Sequence, residues 1–215
     1  MYFDENTWLL NHPVFRSLSD AAEAPGILVS YVEGFAPVVN SVPAFLHLTL
    51  TRGDHDARIL LREIWNDELG LSGTKAHPVL FDELHHAVTS RWGSNRDIQA
   101  FGVDACVRMI QLCGSGSWPI GVAAMKAHES QFPTAYGSIL PTMDQLLGSS
   151  SEFFRVHSYA DVEHSKAGSQ LLRRGISERV VSATEADQAF EHSTEILRNL
   201  MDAIWRASNG STATV

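Results

Sequence analysis

The run Phe154-Arg155-Val156-His157-Ser158-Tyr159-Ala160-Asp161-Val162-Glu163-His164 carries the residue types best suited to chemistry in this chain. Offsets of four, three and seven put His157, Asp161 and His164 on one stripe of a helix. Two neutral imidazoles and a carboxylate make an N/O donor set fit for Fe(II), Mn(II) or Zn(II). A solvated helix face is the alternative, but it leaves Phe154, Tyr159 and Ala160 beside the stripe without a reason. Glu163 and Lys166, three apart, read as an exposed ion pair and mark the surface side of the same helix.

A metal site in a helical bundle draws ligands from facing helices. Two further regions can supply them. Glu68 ends the run Asn66-Asp67-Glu68-Leu69-Gly70, with Leu61 and Trp65 before it on the apolar face. His77 opens the following helix after a loop that can fold back, although a residue before a proline can also be a plain helix start. Glu129 lies in Met125-Lys126-Ala127-His128-Glu129-Ser130-Gln131, in line with Val122, Met125 and Lys126. A carboxylate among apolar and small residues has to be paired, protonated or bound to a metal, because burying it alone is costly.

The elements that must position these groups are helices. Periodic apolar stretches dominate and strand signals are sparse. The pattern predicts a short helix over 13–24, punctuated by Pro25-Gly26, then a long one over 27–50 that Pro37 and Pro43 should kink or interrupt. Asp54 can cap a helix over 55–69 that ends at Gly70. Further helices are expected over 77–92, 95–115 and 119–131, then a stretch broken up by Pro133 and Pro141. A strong helix over 151–173 and a last one over 184–206 complete an all-α bundle of about seven to eight helices. With 215 residues, 44% of them hydrophobic and 19% charged, one domain over 1–207 is expected, followed by a disordered polar tail over 208–215.

Composition also excludes. A net charge of −9 with no basic stripe argues against nucleic-acid binding. No apolar run is expected to reach the roughly 18–20 residues of a membrane span, and MYFDENTW has no leader pattern, so the expectation is a cytoplasmic protein away from membranes. Cys106 and Cys113 are seven apart on a helix, about 10 Å of rise, so they read as reduced core residues.

The runs "NDELG…HP.LF", "HESQFPTAY" and "HSYADVEH" together resemble the haem-oxygenase-like di-iron oxidases and oxygenases, over about residues 55–168. The resemblance implies a haem-oxygenase-like up-and-down helical bundle, two Fe2+ ions and O2 as co-substrate. It implies Glu68, His77, Glu129, His157, Asp161 and His164 as ligands, with Glu33, Glu63 and Asp67 as extra or alternative ones. Two ferrous ions against three carboxylates leave one positive charge, which suits a further anionic ligand at open coordination positions.

The resemblance implies oxidation of a small molecule by desaturation, C–C or C–N cleavage, cyclisation or N-oxygenation. An amino-acid-type substrate in specialised metabolism is expected, with a fatty acid in a long apolar tunnel as the alternative. Arg62 or Lys126 could anchor a substrate carboxylate, and Trp65, Val122, Met125, Phe132 and Phe154 could wall the pocket. A relative that consumes its own side chains needs a Lys beyond the second Glu, and Ser130–Leu140 contains none. An external electron donor and a homodimer are also expected. Other occupants of the same fold are a metal-independent thiaminase-like enzyme, a haem oxygenase and a non-catalytic binding protein. The first needs a nucleophilic Cys, and Cys113 sits towards a helix C-terminus, where a thiolate is disfavoured. The second needs an axial His on the first long helix, which offers only His47.

Overall fold

The computed structural model describes residues 8–210, and among these every regular element is helical. Short α1 (Trp8–Asn11) and α2 (Pro13–Leu18) lead into α3 (Ala24–Arg52), α4 (His55–Glu68), α5 (His77–Trp92) and α6 (Gln99–Ser115). Then come α7 (Trp118–Glu129), α8 (Phe132–Leu147), α9 (Glu152–His157), α10 (Ala160–Ser177) and α11 (Ala183–Ser208), with single 3-10 turns before α6 and α9. Of the expected disordered tail, 211–215 lie outside the described residues, while Ser208 still belongs to α11 and bonds Ile204 O at 2.8 Å.

Four sequence expectations need correction. The helix expected over 13–24 stops at Leu18, and Pro25 does not punctuate but sits in the first turn of α3, where its missing N–H costs nothing. Pro37 and Pro43 do not interrupt α3, nor Pro141 α8. For α3 the reason is position, since it packs against α4, α5, α6, α7 and α11 and that packing outweighs the two lost backbone bonds. The helix expected over 151–173 is broken instead at Ser158-Tyr159, where Tyr159 N bonds Val156 O at 3.1 Å and closes α9 with a tight i−3 turn. Finally, α3 is long and apolar enough by composition to cross a membrane, contrary to the expectation that no stretch would be, although 56% of its most apolar window is buried inside the bundle.

One connected apolar core runs from Leu9 to Ile204. Its tightest crossing is α3 on α6, where a Cβ added to Gly102 would meet Gly34 O at 2.0 Å. Small residues do the same for α7, which packs between α10 and α11 with Gly121, Ala123, Ala124 and Ala127 all buried. Close packing at these two crossings holds α3, α7 and α10 around one interior space.

Candidate metal centre

Glu68 is the last residue of α4, and the way α4 stops decides what Glu68 faces. Gly70 has φ +70, Leu71 N bonds Asn66 O at 2.7 Å and Gly70 N bonds Asp67 O at 2.9 Å. This is a Schellman closure that turns the chain back at once. A Cβ at Gly70 would lie 2.6 Å from Ala76 N, so the loop doubles back tightly enough to start α5 with His77 beside Glu68. Both side chains are buried, and His77 Nδ1 lies 3.0 Å from Glu68 Oε2.

The break at Ser158-Tyr159 divides the ligand-bearing segment between two helices. His157 ends α9 with its ring 4.4 Å from that of His77, while Asp161 and His164 stand on α10. Two buried donor sets result: Glu68 with His77 and His157, and Glu68 with Asp161 and His164. Within each set the donor atoms lie within 4.8 Å of one another, and Glu68 belongs to both. Glu68 Oε2 faces His77 and Oε1 faces His164, so this carboxylate would be shared if each set held an ion.

The outer edges of the imidazoles are fixed by other groups. His157 Nδ1 is 2.8 Å from Phe153 O, which leaves its Nε2 for the centre. His164 Nε2 is 3.1 Å from Asp67 Oδ2, which leaves Nδ1 facing Glu68 Oε1 at 3.7 Å and Asp161 Oδ1 at 3.9 Å. Carbonyl or carboxylate support on the far nitrogen is the usual way a metal-binding His is held.

Whether a metal fits is tested by the atoms left over. His164 Nδ1 and His77 Nδ1 are both buried without a hydrogen-bond partner. For His77 the 3.0 Å approach to Glu68 lacks hydrogen-bond geometry, so proximity has not satisfied it. Orphaned buried nitrogens are expensive, and a cation between them and the carboxylates removes the cost. Nitrogen and oxygen donors of this kind suit Fe(II).

Electrostatics point the same way. Burial pushes the Asp161 carboxyl well above the usual range, and the nearby charges of Glu129, Glu68 and Asp67 push it further. Glu129 is raised as well, by burial first and then by Glu68, against the pull of His164 and Lys126. Burial also works against ionised Glu68, but the His77 contact and the charges of His77, His157 and His164 outweigh it and hold its carboxyl low. Burial takes His157 down to about 4, a neutral ring with a free lone pair. The raised pair, Asp161 and Glu129, are acids that a bound cation would hold ionised.

Other residues singled out in the sequence fall in different places. Glu129 is outside both donor sets, but it lines the same interior cavity as Glu68 and Asp161. Asp67 supports His164 from outside rather than joining the donors. Glu63 is exposed on a surface cleft between α4 and α10. Glu33 is buried elsewhere, accepting from Ser94 Oγ and from Gln99 Nε2 at 2.6 Å, with His85 Nε2 at 3.3 Å, so it is not an extra ligand here.

The cavity holds about 60 Å³ and is lined by Phe35, Val38, Val39 and Val42 of α3, by His128, Glu129, Phe132 and Tyr136, and by Phe153, His157, Asp161 and Glu68. At ~10–15 Å³ each that is room for a few waters or a short organic group. Of the expected wall residues only Phe132 lines it. Val122 and Met125 are ordinary core, Phe154 packs on Tyr31 and Tyr136, and Trp65 donates to Pro43 O at 3.1 Å. Neither cation is among the lining residues: Arg62 is exposed, and Lys126 Nζ donates to Ser165 Oγ at 2.8 Å. The sequence reading missed the α3 wall, although Phe35, Val38, Val39 and Val42 recur at helical spacing. It also missed His128 and the buried Tyr31–Tyr136 hydroxyl pair, 2.6 Å apart, which no spacing rule links across 105 residues.

Two rival chemistries lose their residues. Cys113 is buried and its thiol is pushed up to about 12 by that burial, so it is a poor nucleophile. His47 is exposed, its ring tilted 42° to that of Trp65 at 6.4 Å, and it is not among the residues lining the interior cavity.

Two solved structures share the fold. A TenA homolog from Pseudomonas syringae pv. tomato superposes with TM-score 0.74 at 15% identity, over 94% of this chain and 87% of that one. A CADD-like protein of unknown function from Nostoc punctiforme gives TM-score 0.62 at 15% identity, over 97% of each chain. None of the curated proteins matches in sequence. Such identities establish the haem-oxygenase-like helical bundle and nothing about substrate. The family match is more specific: residues 29–201, which include all six expected ligands, match the iron-containing redox enzymes, and the chain belongs to that family.

Proposed function

We propose that this protein is a non-haem di-iron oxidase or oxygenase that uses O2 to oxidise a small amino-acid-type or similarly compact substrate in specialised metabolism. The observation that carries the reading is Glu68 shared between two buried donor sets, with His77 Nδ1 and His164 Nδ1 facing it unpartnered. Bound ferrous ions would supply open coordination positions and the electrons that activate O2.

The chain's own residues do the rest. His77 and His157 would hold one ion with Glu68, and Asp161 and His164 the other, with Glu129 as a further carboxylate on the cavity side. Phe153 O and Asp67 keep the two α9–α10 imidazoles in the orientation that offers a lone pair inward. Phe35, Val38, Val39 and Phe132 exclude bulk water from the space where the substrate would lie. The small cavity favours a compact substrate over a long-chain fatty acid, and the high thiol pKa of Cys113 disfavours a thiaminase-like reaction there.

The test is an anaerobic Fe2+ titration of metal-free protein, followed by O2 uptake with panels of amino acids, amines and fatty acids. Two ions per chain and O2 uptake stimulated by one class of compound are expected. Absence of iron uptake, or uptake unchanged by His157→Ala, would overturn the reading.

A further inference from the structure

Two tyrosine hydroxyls meet in the core beside the interior cavity, and the metal centre uses neither. Tyr31 Oη of α3 and Tyr136 Oη of α8 lie 2.6 Å apart. Burial pushes both phenols further above their usual range, so each oxygen keeps its proton. The single hydrogen bond between the oxygens takes one of the two protons. Where the other points decides what the pair can do.

The surroundings of the two hydroxyls differ. Tyr31 is fully buried, with the rings of Phe35, Phe15 and Phe154 at 5.3, 6.2 and 6.2 Å from its own. Among the described residues its hydroxyl has no hydrogen-bond partner but Tyr136, and Tyr31 does not line the cavity. Were Tyr136 the donor, the Tyr31 proton would be stranded among aromatic rings, and a buried unsatisfied donor is costly. With Tyr31 as the donor that cost disappears. The unspent proton is then that of Tyr136, which does line the cavity.

Tyr136 is held where it stands. Its ring is stacked on Phe132 at 4.8 Å and meets Phe154 and Phe153 edge-on at 5.2 and 5.8 Å. A hydroxyl that accepts one hydrogen bond is also a stronger donor of the next. Tyr136 is the only hydroxyl among the lining residues, and no Lys or Arg is among them. Its ring lies 6.1 Å from that of His157, so an oxygen held by Tyr136 keeps the attached carbon chain beside the donor sets.

We propose that Tyr136 is a specificity-determining residue of this site, its hydroxyl, backed by Tyr31, donating a hydrogen bond to a carbonyl or carboxylate oxygen of a short-chain substrate whose carbon body lies against α3. The proposal deepens the oxidase reading, on which it rests for what happens to the bound molecule. A carboxylate would also be drawn to the ions of that reading, whereas a neutral carbonyl needs no ion to be recognised by Tyr136.

The experiment is calorimetric binding of 2-butanone and n-butylamine to the protein, both metal-free and loaded with redox-inert Mn2+. The amine is protonated at neutral pH and has no acceptor. Tyr136→Phe keeps the ring and removes the donor. It should weaken 2-butanone about tenfold, the loss of roughly one good hydrogen bond, and leave the amine within about twofold. Tyr31→Phe leaves Tyr136 its proton but removes the bond that polarises it, and should cost 2-butanone less, about threefold. The carbonyl stretch of bound, isotope-labelled 2-butanone should rise in Tyr136→Phe and rise part of the way in Tyr31→Phe. Butyrate, titrated into the Mn2+ form, separates the two oxygen classes. A parallel loss in Tyr136→Phe assigns a carboxylate as well as a carbonyl, and an unchanged affinity assigns the carbonyl alone.

Equal 2-butanone affinity in wild type and Tyr136→Phe would overturn the proposal, as would equal losses for 2-butanone and the amine, or no 2-butanone binding to wild type. Circular dichroism melting identifies a variant that does not fold. Should Tyr136→Phe be one, the carbonyl stretch in Tyr31→Phe decides, and an unmoved band overturns the proposal. If Mn2+ fails to bind while 2-butanone binding and its dependence on the tyrosine pair persist, the metal reading falls and this one stands. If two ions bind but Tyr136 makes no difference, the reverse holds.

Discussion

Helix α5 gives a histidine to each of two buried carboxylates, and the two pairs are treated in opposite ways. His85 stands 3.3 Å from Glu33, and Ser94 and Gln99 donate to the same carboxylate. His77 stands 3.0 Å from Glu68, yet its Nδ1 is orphaned, and the other groups around Glu68 are two more imidazoles and two more acids. Glu33 is a carboxylate closed by hydrogen-bonding neighbours, complete as it stands. Glu68 sits among groups that cannot satisfy one another without a cation. The difference is not burial, which is nearly complete for both, but whether the partners are donors or fellow ligands.

The largest test of that contrast is metal content. Glu68→Ala removes the one carboxylate common to both donor sets, and binding should fall from two ions per chain to essentially none by anaerobic Fe2+ titration. Removing Asp161 alone should spare the set built on His77 and His157 and leave about one ion. Two ions retained by Glu68→Ala would mean that Glu68 does not bridge and that the contrast with Glu33 is accidental.

The next effect is in pH dependence, and its sign differs between the two regions. Glu33 is held low because the Ser94, Gln99 and His85 contacts together outweigh the opposing effect of burial. A lowered carboxyl pKa gives stability that is present above the unfolded value, near 4.5, and lost as pH falls through the folded one. Asp161 and Glu129 are raised, so in the metal-free protein their contribution is present below the unfolded values and lost as pH rises through the folded ones. His77 is raised too, because its Glu68 contact overcomes the opposing effect of burial, and it acts in the same direction as pH passes upward from 6.5. His157 and His128, both lowered to about 4 by burial, act in the opposite direction, but only up to about pH 6.5, so the metal-free protein should lose Tm on moving from about pH 7 to about pH 9. Mn2+ should abolish that loss, since a bound cation holds the acids ionised and the imidazoles neutral. Melting curves with and without Mn2+ across that range decide it. A metal-free protein whose Tm is flat or rises there would show that the acids of the centre are already compensated.

The sequence made the ligand-bearing segments legible because chemistry and local spacing coincide in them. His157, Asp161 and His164 lie within eight residues, and Gly70 announces the end of α4 just after Glu68. What it could not convey was whatever depends on helices meeting. The break at Tyr159 leaves the periodicity of the segment intact and places His157 on a different helix from Asp161. Prolines 37, 43 and 141 are local helix breakers overruled by packing, which no local rule reports. Glu33 stood on the right helix for an extra ligand, but the hydroxyl and amide that satisfy it come from the far side of α5, 61 and 66 residues later. Lys126 and Arg62 were reasonable anchors by sequence distance, and only the direction of each side chain removes them from the cavity.

The smallest effect tests the quiet half of the comparison. Glu33→Gln keeps the shape of the side chain but replaces one acceptor oxygen by a donor that would face Ser94, Gln99 or His85, each already placed to donate. At least one contact must then be lost or reversed, which in a buried site costs about 1–3 kcal/mol. The variant has no carboxyl to titrate at this position, so the acid-side pH dependence that Glu33 contributes should flatten. Metal content should stay at two ions per chain, because none of the donor atoms around Glu68 depends on Glu33. Chemical denaturation and iron titration on the same preparation check both halves. A variant that loses an ion with little change in stability would place Glu33 in the metal centre after all, and the two carboxylates paired with α5 histidines would then be parts of one system.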